Sequence, residues 1–169
     1  MSLLCRNIYD PPCINNPAVN HGKTYENAAI QKFEEGFNLK VQKSGLVVCE
    51  QYPYLGCSPD GIIDDISIVE IKCPFNGRNS KVLANKFFPF LEVKSDGNLT
   101  LKRGHNYYYQ IIGQLAITKR IKCYFIVYTF VDLFVEEIYL DTMFFDETML
   151  PKLRSFYENN YRMFVASKL

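Results

Sequence analysis

The sequence lacks the features that mark membrane and secreted proteins. No stretch approaches the roughly 18 consecutive apolar residues of a membrane span, because the longest apolar tract, residues 124–135, contains Thr129 and Asp132. The first residues, Met1 to Arg6, are too few for a signal-peptide apolar region. We therefore expect a soluble, intracellular protein without a membrane partner.

The sequence also lacks the cysteine spacing of a metal-binding or disulfide-bonded protein. Its 6 cysteines include no C-x-x-C pair and no zinc-type arrangement. An iron–sulfur cluster on four of them is an alternative, but four lie in or beside predicted strands, where cysteine is commonly a small buried hydrophobic residue. We predict that role for these cysteines: Cys5, Cys13, Cys49, Cys57, Cys73 and Cys123.

A large net charge is absent too, since the formal charge is only +1. The charge is nevertheless unevenly distributed, because residues 72–122 hold ten basic side chains against Glu92 and Asp96. Such segregation is typical of a chain with one polyanion-binding face, although an ordinary solvated surface gives the same pattern. The basic residues are Lys72, Arg78, Lys81, Lys86, Lys94, Lys102, Arg103, Lys119, Arg120 and Lys122.

What the chain does contain is enough apolar material for a folded core. Its 169 residues are 48% hydrophobic and 15% aromatic, which suits one globular domain over residues 1–169. Residues 1–20 read as an irregular arm, and residues 75–101 as a polar, basic and aromatic segment with a turn at 95–98. The other periodicities predict a mixed sheet flanked by helices, with helices near 19–37, 104–119 and 146–167, and strands near 39–42, 45–50, 56–74, 122–130 and 133–140.

A predicted hairpin around residues 56–74 gathers charged side chains on one face. With the turn centred on Asp65, Asp60 and Glu70 become cross-strand neighbours, with Cβ atoms about 5 Å apart. Period-two alternation places Lys72 on the same face as Glu70. Two carboxylates beside a lysine form a site for a hard divalent cation, although a surface hairpin with solvated acids is an equal alternative.

Two helices add polar side chains at unusual positions. Glu26 lies on the apolar stripe of the helix near 19–37, where an inward-facing carboxylate needs a partner or a metal; a partly exposed position at the edge of the stripe is the alternative. In the helix near 104–119, a narrow polar stripe suggests a face turned to a ligand, although a face in water has the same periodicity. That stripe holds Arg103, Tyr107, Gln110 and Gln114.

Four motifs along the chain resemble those of the PD-(D/E)XK nuclease superfamily, and within it the phage lambda exonuclease-like group, also called YqaJ-type viral recombinases. The motifs occur in the family's order and cover most of the chain. The resemblance implies an α/β (α+β) fold with a restriction-endonuclease-like core, a central mixed β-sheet flanked by α-helices. The motifs are Gly22 to Ala29, Leu55 to Gly61, Val69 to Pro74 and Tyr107 to Leu115.

The resemblance also implies roles for individual residues. Asp60 and Glu70 would bind Mg²⁺, which Mn²⁺ would replace and of which two ions are expected, with the Ile71 carbonyl and Glu26 completing the site. Lys72 would activate water and stabilise charge on the phosphate, and Gln110 would position the nucleophile or the lysine. The residues expected to contact DNA are Arg78, Lys102, Arg103, His105, Tyr107 and Gln114.

The expected function is therefore a Mg²⁺-dependent deoxyribonuclease, a 5′-to-3′ double-strand exonuclease in DNA recombination, repair or viral DNA processing. Its partners would be duplex DNA ends, a single-strand annealing protein and further copies of itself, in the cytoplasm or nucleus of the host. Two alternatives are an endonuclease or nickase on the same fold and an inactive DNA-binding subunit. One departure from the family is Gln110-Ile111-Ile112 in place of Gln-x-Gln, for which Gln114, one helical turn further on, is a partial substitute.

Overall fold

A four-stranded mixed sheet forms the centre of the computed structural model, which describes residues 3–168. Its strands lie in the order β3-β4-β7-β8, in which β4 and β7 are parallel and the two outer pairings are antiparallel. The parallel pair needs a crossover connection, and helix α3 lies in it. Two further two-stranded sheets pair β1 with β2 and β5 with β6. The strands are β1 Val47–Val48, β2 Gly56–Cys57, β3 Gly61–Ile62, β4 Ser67–Lys72, β5 Leu91–Val93, β6 Leu99–Leu101, β7 Lys122–Tyr128 and β8 Leu133–Tyr139.

The helices begin and end at residues with clear local causes. The Asn16 side chain caps the first turn of α2, where Pro17 stands at the first position, and Asn38 ends the helix in the left-handed conformation. His105 caps α3, and Lys119 ends it in the same way. The helices are α1 Leu3–Tyr9, α2 Pro17–Phe37, α3 Asn106–Thr118, α4 Leu150–Phe156 and α5 Arg162–Ala166.

The described residues fall into two compact units, one of residues 16–140 and one of residues 3–15 with 141–168. The first contains the sheet, α2 and α3. The second contains α1, α4 and α5, with π-helical turns at Phe144–Met149 and Tyr157–Tyr161. The single domain expected over residues 1–169 stays a prediction, and its residues 1, 2 and 169 lie outside the described part of the chain.

The two faces of strand β4 serve different purposes. Val69, Ile71 and Cys73 pack with Ala29 and Phe33 of α2 in a hydrophobic core. The alternate side chains of β4 point towards α3, where they carry the charged groups described below. This division follows from the period-two alternation of a strand, and it confirms the predicted separation of charged and apolar residues.

Four segments differ from the sequence prediction. Residues 39–42 form no strand, and only Gln42 makes an isolated bridge to Ile62. The irregular arm contains a helix, α1, whose Cys5 is buried; Pro11 and Pro12 follow its end, and their abundance obscured the short helix before them. The segment of residues 75–101, for which no strand was predicted, contains the β5–β6 hairpin, and its predicted turn at residues 95–98 is confirmed by the bond from Lys94 N to Asn98 O of 2.9 Å. The carboxy-terminal helix is divided by π-helical turns, which residue periodicity does not reveal.

The cysteines are all free thiols. Cys5, Cys49, Cys73 and Cys123 are buried, Cys57 is half-buried and Cys13 is exposed. The interpretation as small core residues is thus confirmed for four of them. Among the helices of residues 3–168, none has the length and apolar character needed to cross a membrane.

Candidate active site

The β3–β4 hairpin has the register that the sequence predicts. Gly61 pairs with Val69 and Ile62 with Ile68, and extending this register by one residue brings Asp60 opposite Glu70. Oδ2 of Asp60 accepts a hydrogen bond of 2.7 Å from the backbone N–H of Ile71. The carboxylate of Asp60 is therefore fixed immediately before the first residue of β3, beside strand β4.

Gly61 is required at this position by the close approach of a neighbouring segment. A Cβ on Gly61 would lie 2.2 Å from Cγ1 of Val41 and 3.3 Å from the carbonyl oxygen of Gln42. Gln42 in turn exchanges backbone hydrogen bonds of 2.8 Å with Ile62. The absent side chain lets the 41–42 segment press against the hairpin and fixes the backbone that carries Asp60.

Glu70 is the most deeply buried charged residue of the site, with 1% of its surface exposed. Its Oε1 accepts a charged hydrogen bond from Nζ of Lys72, and its Oε2 accepts one of 2.8 Å from Nε2 of Gln114. A buried carboxylate needs such partners because its transfer from water is otherwise very costly. Both oxygens of Glu70 are thus held in place by the protein itself.

Lys72 lies at the edge of the same site, with 18% of its side chain exposed. Besides Glu70, its Nζ donates to Oε1 of Gln110 over 3.2 Å and lies 4.4 Å from the ring centroid of Tyr107. The ion pair, the amide and the aromatic face hold the ammonium in one place. The structure thus brings together four residues that the sequence singled out, namely Glu70, Lys72, Tyr107 and Gln110.

Burial and the charge of Glu70 raise the pKa of Asp60 to about 7, and the more distant charge of Glu26 acts in the same direction. The hydrogen bond from Ile71 and the charge of Lys72 offset only part of this rise. Two neighbouring carboxylates in a partly dry site repel each other, so a divalent cation would relieve the repulsion. The donor set and its electrostatics therefore fit a hard metal ion.

The position of Glu26 bears on how such an ion is held. Glu26 is half-buried on α2 and acts electrostatically on Asp60 and Cys73. Within residues 3–168, however, no three His, Cys, Asp or Glu side chains are gathered as a ready-made metal site. Ligation by Glu26 and by the Ile71 carbonyl stays a prediction, and Asp60 and Glu70 are the two carboxylates that the fold brings side by side.

Gln114 occupies a different place from the one expected for a DNA contact. Only 3% of its surface is exposed, because its amide faces Glu70 from the buried side of α3. Its Oε1 is buried and has no hydrogen-bond partner among residues 3–168, which is uncommon in folded proteins. The helical wheel grouped Gln114 correctly with Gln110, but it could not reveal that this stripe faces a carboxylate of the sheet.

The other residues expected to contact DNA are spread around the site. Arg78 stacks on Phe75 at 4.2 Å and donates to the carbonyl of Phe75 over 2.7 Å. Lys102 donates to the carbonyl of Pro89 over 2.6 Å, and the exposed Arg103 lies 5.3 Å from the ring of Tyr108. Nδ1 of His105 accepts from the N–H of Tyr107 over 3.2 Å; burial first, then the charges of Lys102 and Lys72, lower the pKa of His105.

An open cleft of roughly 600 Å³ lies beside Lys72. Residues of α2, the end of β4, the segment before β5 and the start of α3 line it. Lys86 was noted in the sequence only as one of the ten basic residues, and Phe87 was not singled out. The signal for both was the basic and aromatic composition of residues 75–101.

The comparison with known proteins agrees with the fold and with the order of the motifs. The model of the YqaJ-like viral recombinase domain matches residues 5–120, which is more than half of the chain. The chain therefore belongs to the YqaJ-like viral recombinase domain family, as its motifs predict. Among curated protein sequences, no match was found.

Solved structures of exonucleases share the fold. The chain is similar to LHK-Exo, an alkaline exonuclease from Laribacter hongkongensis, with 24% identity and a TM-score of 0.67 over 98% of this chain and 82% of that one. The complex of LHK-Exo with dAMP gives the same identity and TM-score over 97% and 82%. A phage related exonuclease from Haemophilus somnus 129PT matches with 12% identity and a TM-score of 0.66 over 98% and 81%. These similarities confirm the predicted α+β fold with a central mixed sheet.

Proposed function

We propose that this protein is a DNA nuclease of the alkaline exonuclease type. The observation that carries the proposal is the arrangement of Asp60, Glu70 and Lys72 on one hairpin, with Gln110 bound to the lysine. Membership of the YqaJ-like viral recombinase domain family and the fold shared with alkaline exonucleases support it. The finer proposal is a Mg²⁺-dependent 5′-to-3′ exonuclease that acts on duplex DNA ends in recombination, repair or viral DNA processing.

Asp60 and Glu70 would hold Mg²⁺, with the Ile71 carbonyl and Glu26 as further predicted ligands and Mn²⁺ as a substitute. When bound, one or two such ions supply electrostatic stabilisation of the phosphate and lower the pKa of attacking water. The raised pKa of Asp60 and the burial of Glu70 support this assignment, because both carboxylates lack the solvent that would otherwise stabilise their charge.

Lys72 places a positive charge at the open edge of this carboxylate pair. There it would orient the attacking water and stabilise the negative charge that develops on the phosphate oxygens. Gln110 would fix the direction of the ammonium through its 3.2 Å hydrogen bond. Tyr107 contributes an aromatic face under the same ammonium, which restricts it without neutralising it.

The test is a time course on linear duplexes labelled at either end, with a 5′ phosphate or a 5′ hydroxyl, in Mg²⁺ and in chelator. We expect nucleotide release from the 5′ end in Mg²⁺, none in chelator, and no cleavage of covalently closed circles. Linearisation or nicking of those circles would instead favour an endonuclease.

The matched variants are Lys72→Ala and Lys94→Ala. Lys94 is an exposed lysine of the β5–β6 turn, so its removal leaves the rate close to that of the wild type. The loss in Lys72→Ala is expected to be at least about 100-fold, the lower range for a positioned acid–base group. Degradation by Lys72→Ala at the wild-type rate would contradict the mechanism. A homo-oligomer and an annealing-protein partner stay predictions.

A further inference from the structure

The cleft beside Lys72 combines aromatic rings with positive charge. Its aromatic lining includes the half-buried Phe87 and Tyr107. Its basic lining includes Lys86 in addition to Lys72. None of its lining residues is acidic. A negatively charged ligand with a flat, polarisable part is the chemistry that such a surface recognises.

Phe87 is the ring best placed to receive a ligand. It is half-buried, and among residues 3–168 no other ring lies in aromatic contact with it. A cation lies over the ring instead, namely Nζ of Lys86 at 5.2 Å from the ring centroid. The Lys86 side chain is exposed and flexible, so its ammonium can contact a phosphate while the Phe87 ring contacts the attached base.

The segment that carries Phe87 is anchored to the core three residues later, at Phe90. Phe90 is 4% exposed and makes ring contacts with Phe88, His105, Tyr107 and Phe125 at 5.1–6.3 Å. Two hydrogen bonds attach the β5–β6 hairpin to Glu136 of the central sheet. They come from Thr100 Oγ1 over 2.5 Å and from the N–H of Leu101 over 2.7 Å. The surface that presents Phe87 is therefore formed before any ligand binds, which lowers the entropic cost of binding.

The first turn of α2 adds a second feature that suits a phosphate. Ala18 and Val19, in that turn, line the cleft. A helix amino terminus carries partial positive charge, which here adds to the charges of Lys72 and Lys86.

We propose that this cleft binds an unpaired nucleotide next to the phosphate that is cut, with its base stacked on Phe87 and its phosphate near Lys86. The proposal rests on the proposed nuclease function for the identity of the polyanion. It adds a base-stacking contact, which tolerates any sequence because every base has a π-face. It also explains why the chain places rings and lysines together in a segment that is otherwise polar.

The absence of tryptophan from the sequence makes a direct test possible. Phe87→Trp gives a protein with a single tryptophan in the cleft, and Leu83→Trp gives one at a position that is 57% exposed and outside the cleft lining. Each is titrated in chelator, where no cleavage occurs, with an oligothymidine of about 12 nucleotides and with an abasic oligonucleotide of the same length.

We expect oligothymidine to quench the fluorescence of Phe87→Trp, the abasic strand to quench it far less, and Leu83→Trp to respond to neither. Phe87→Ala should bind labelled oligothymidine about 10-fold more weakly by anisotropy, within the range for one stacked base, and Phe87→Tyr should bind as the wild type does. Equal quenching by both strands, or unchanged affinity of Phe87→Ala, would overturn the proposal.

The two proposals can fail separately. Quenching in chelator without degradation in Mg²⁺ would leave the nucleotide subsite intact and remove the nuclease function. Degradation with no effect at position 87 in either assay would remove the subsite alone.

Discussion

Gln114 and Glu70 form a buried hydrogen bond of 2.8 Å that joins helix α3 to the central strand of the sheet. This bond uses Oε2 of Glu70, whereas Oε1 accepts the hydrogen bond from Lys72. The orientation of Glu70, a candidate metal ligand, thus depends on α3. Residues that hydrogen-bond a metal-binding carboxylate orient it and tune its affinity for the metal. We therefore expect Gln114 to position Glu70, although its place in the polar stripe suggested a contact with DNA.

Replacing Gln114 by leucine should lower the nuclease rate about 10- to 100-fold, as loss of a hydrogen bond to a metal-binding carboxylate commonly does. The Mg²⁺ concentration needed for half-maximal activity should rise, because Glu70 loses the donor that orients Oε2. Gln31→Leu is the control, since Gln31 is exposed on α2 and donates to Glu35 on the same helix. If the Gln114→Leu protein kept the wild-type Mg²⁺ dependence, the positioning role would be wrong.

Lys72→Ala should separate metal binding from catalysis. The change removes the charge that compensates the buried Glu70, so the metal-free chain should lose about 1–3 kcal/mol of unfolding free energy. A divalent cation can supply the same compensation, so Mn²⁺ should raise the melting temperature of Lys72→Ala more than that of the wild type. Thermal melts over a Mn²⁺ series measure both effects, and activity should stay abolished throughout.

Lys122→Ala provides the matched control for that experiment. Its side chain is also 18% exposed and forms an ion pair with Glu137 over 3.0 Å, away from the carboxylate pair. Its removal should lower stability through loss of that ion pair and of the bond to Tyr124, but the shift in melting temperature produced by Mn²⁺ should equal that of the wild type. If Mn²⁺ raised the melting temperatures of Lys72→Ala and the wild type equally, the cation would not replace Lys72 in compensating the charge of Glu70.

The hairpin could be predicted from the sequence because its determinants are local. The alternation of β4 separates Glu70 and Lys72 from the core, and Asp64 accepts from the N–H of Ile66 over 2.9 Å within the predicted turn. Turn residues and strand period together fix the register, so the position of Asp60 relative to Glu70 followed from counting alone.

The partner of Gln114 could not be predicted in the same way. A helical wheel shows which side chains share a face, but a polar stripe in water and one against a buried carboxylate have the same periodicity. The cleft at Phe87 depends on tertiary packing too, because Phe90, which lines it, packs on Tyr107 of α3, and the β5–β6 hairpin that follows is bonded to Glu136 of β8. Contacts between distant segments are the part of the site that local patterns leave open.

The pKa of Asp60 predicts how stability changes with pH in chelator. Since burial and Glu70 raise that pKa to about 7, against about 3.9 in an unfolded chain, the folded protein holds a proton between these values that the unfolded chain has released. The free energy of unfolding should therefore fall as the pH rises from about 4 to about 7. Asp60→Asn should lack this contribution, and chemical denaturation across the pH range measures the difference.

Saturating Mg²⁺ should reverse that pH dependence, because the cation replaces the proton on Asp60 and binds better as the pH rises. Asp65→Asn serves as the control, since Asp65 is an exposed carboxylate of the same hairpin turn. Parallel pH profiles for the wild type and Asp60→Asn in chelator would mean that Asp60 is not the group that titrates.

Gly61→Ala should destabilise the site through a single steric contact. The new Cβ would lie 2.2 Å from Cγ1 of Val41, and overpacking of this kind costs about 1–3 kcal/mol. Adding Val41→Ala removes Cγ1 and should recover most of that loss, so the double-mutant cycle should show a favourable coupling. Gly45→Ala is the control, because among the described residues none beyond its two chain neighbours has an atom within 4 Å of a Cβ there. Because Asp60 precedes Gly61, activity should fall and recover together with stability; recovery of stability without activity would mean that the Asp60 backbone had not returned to its place.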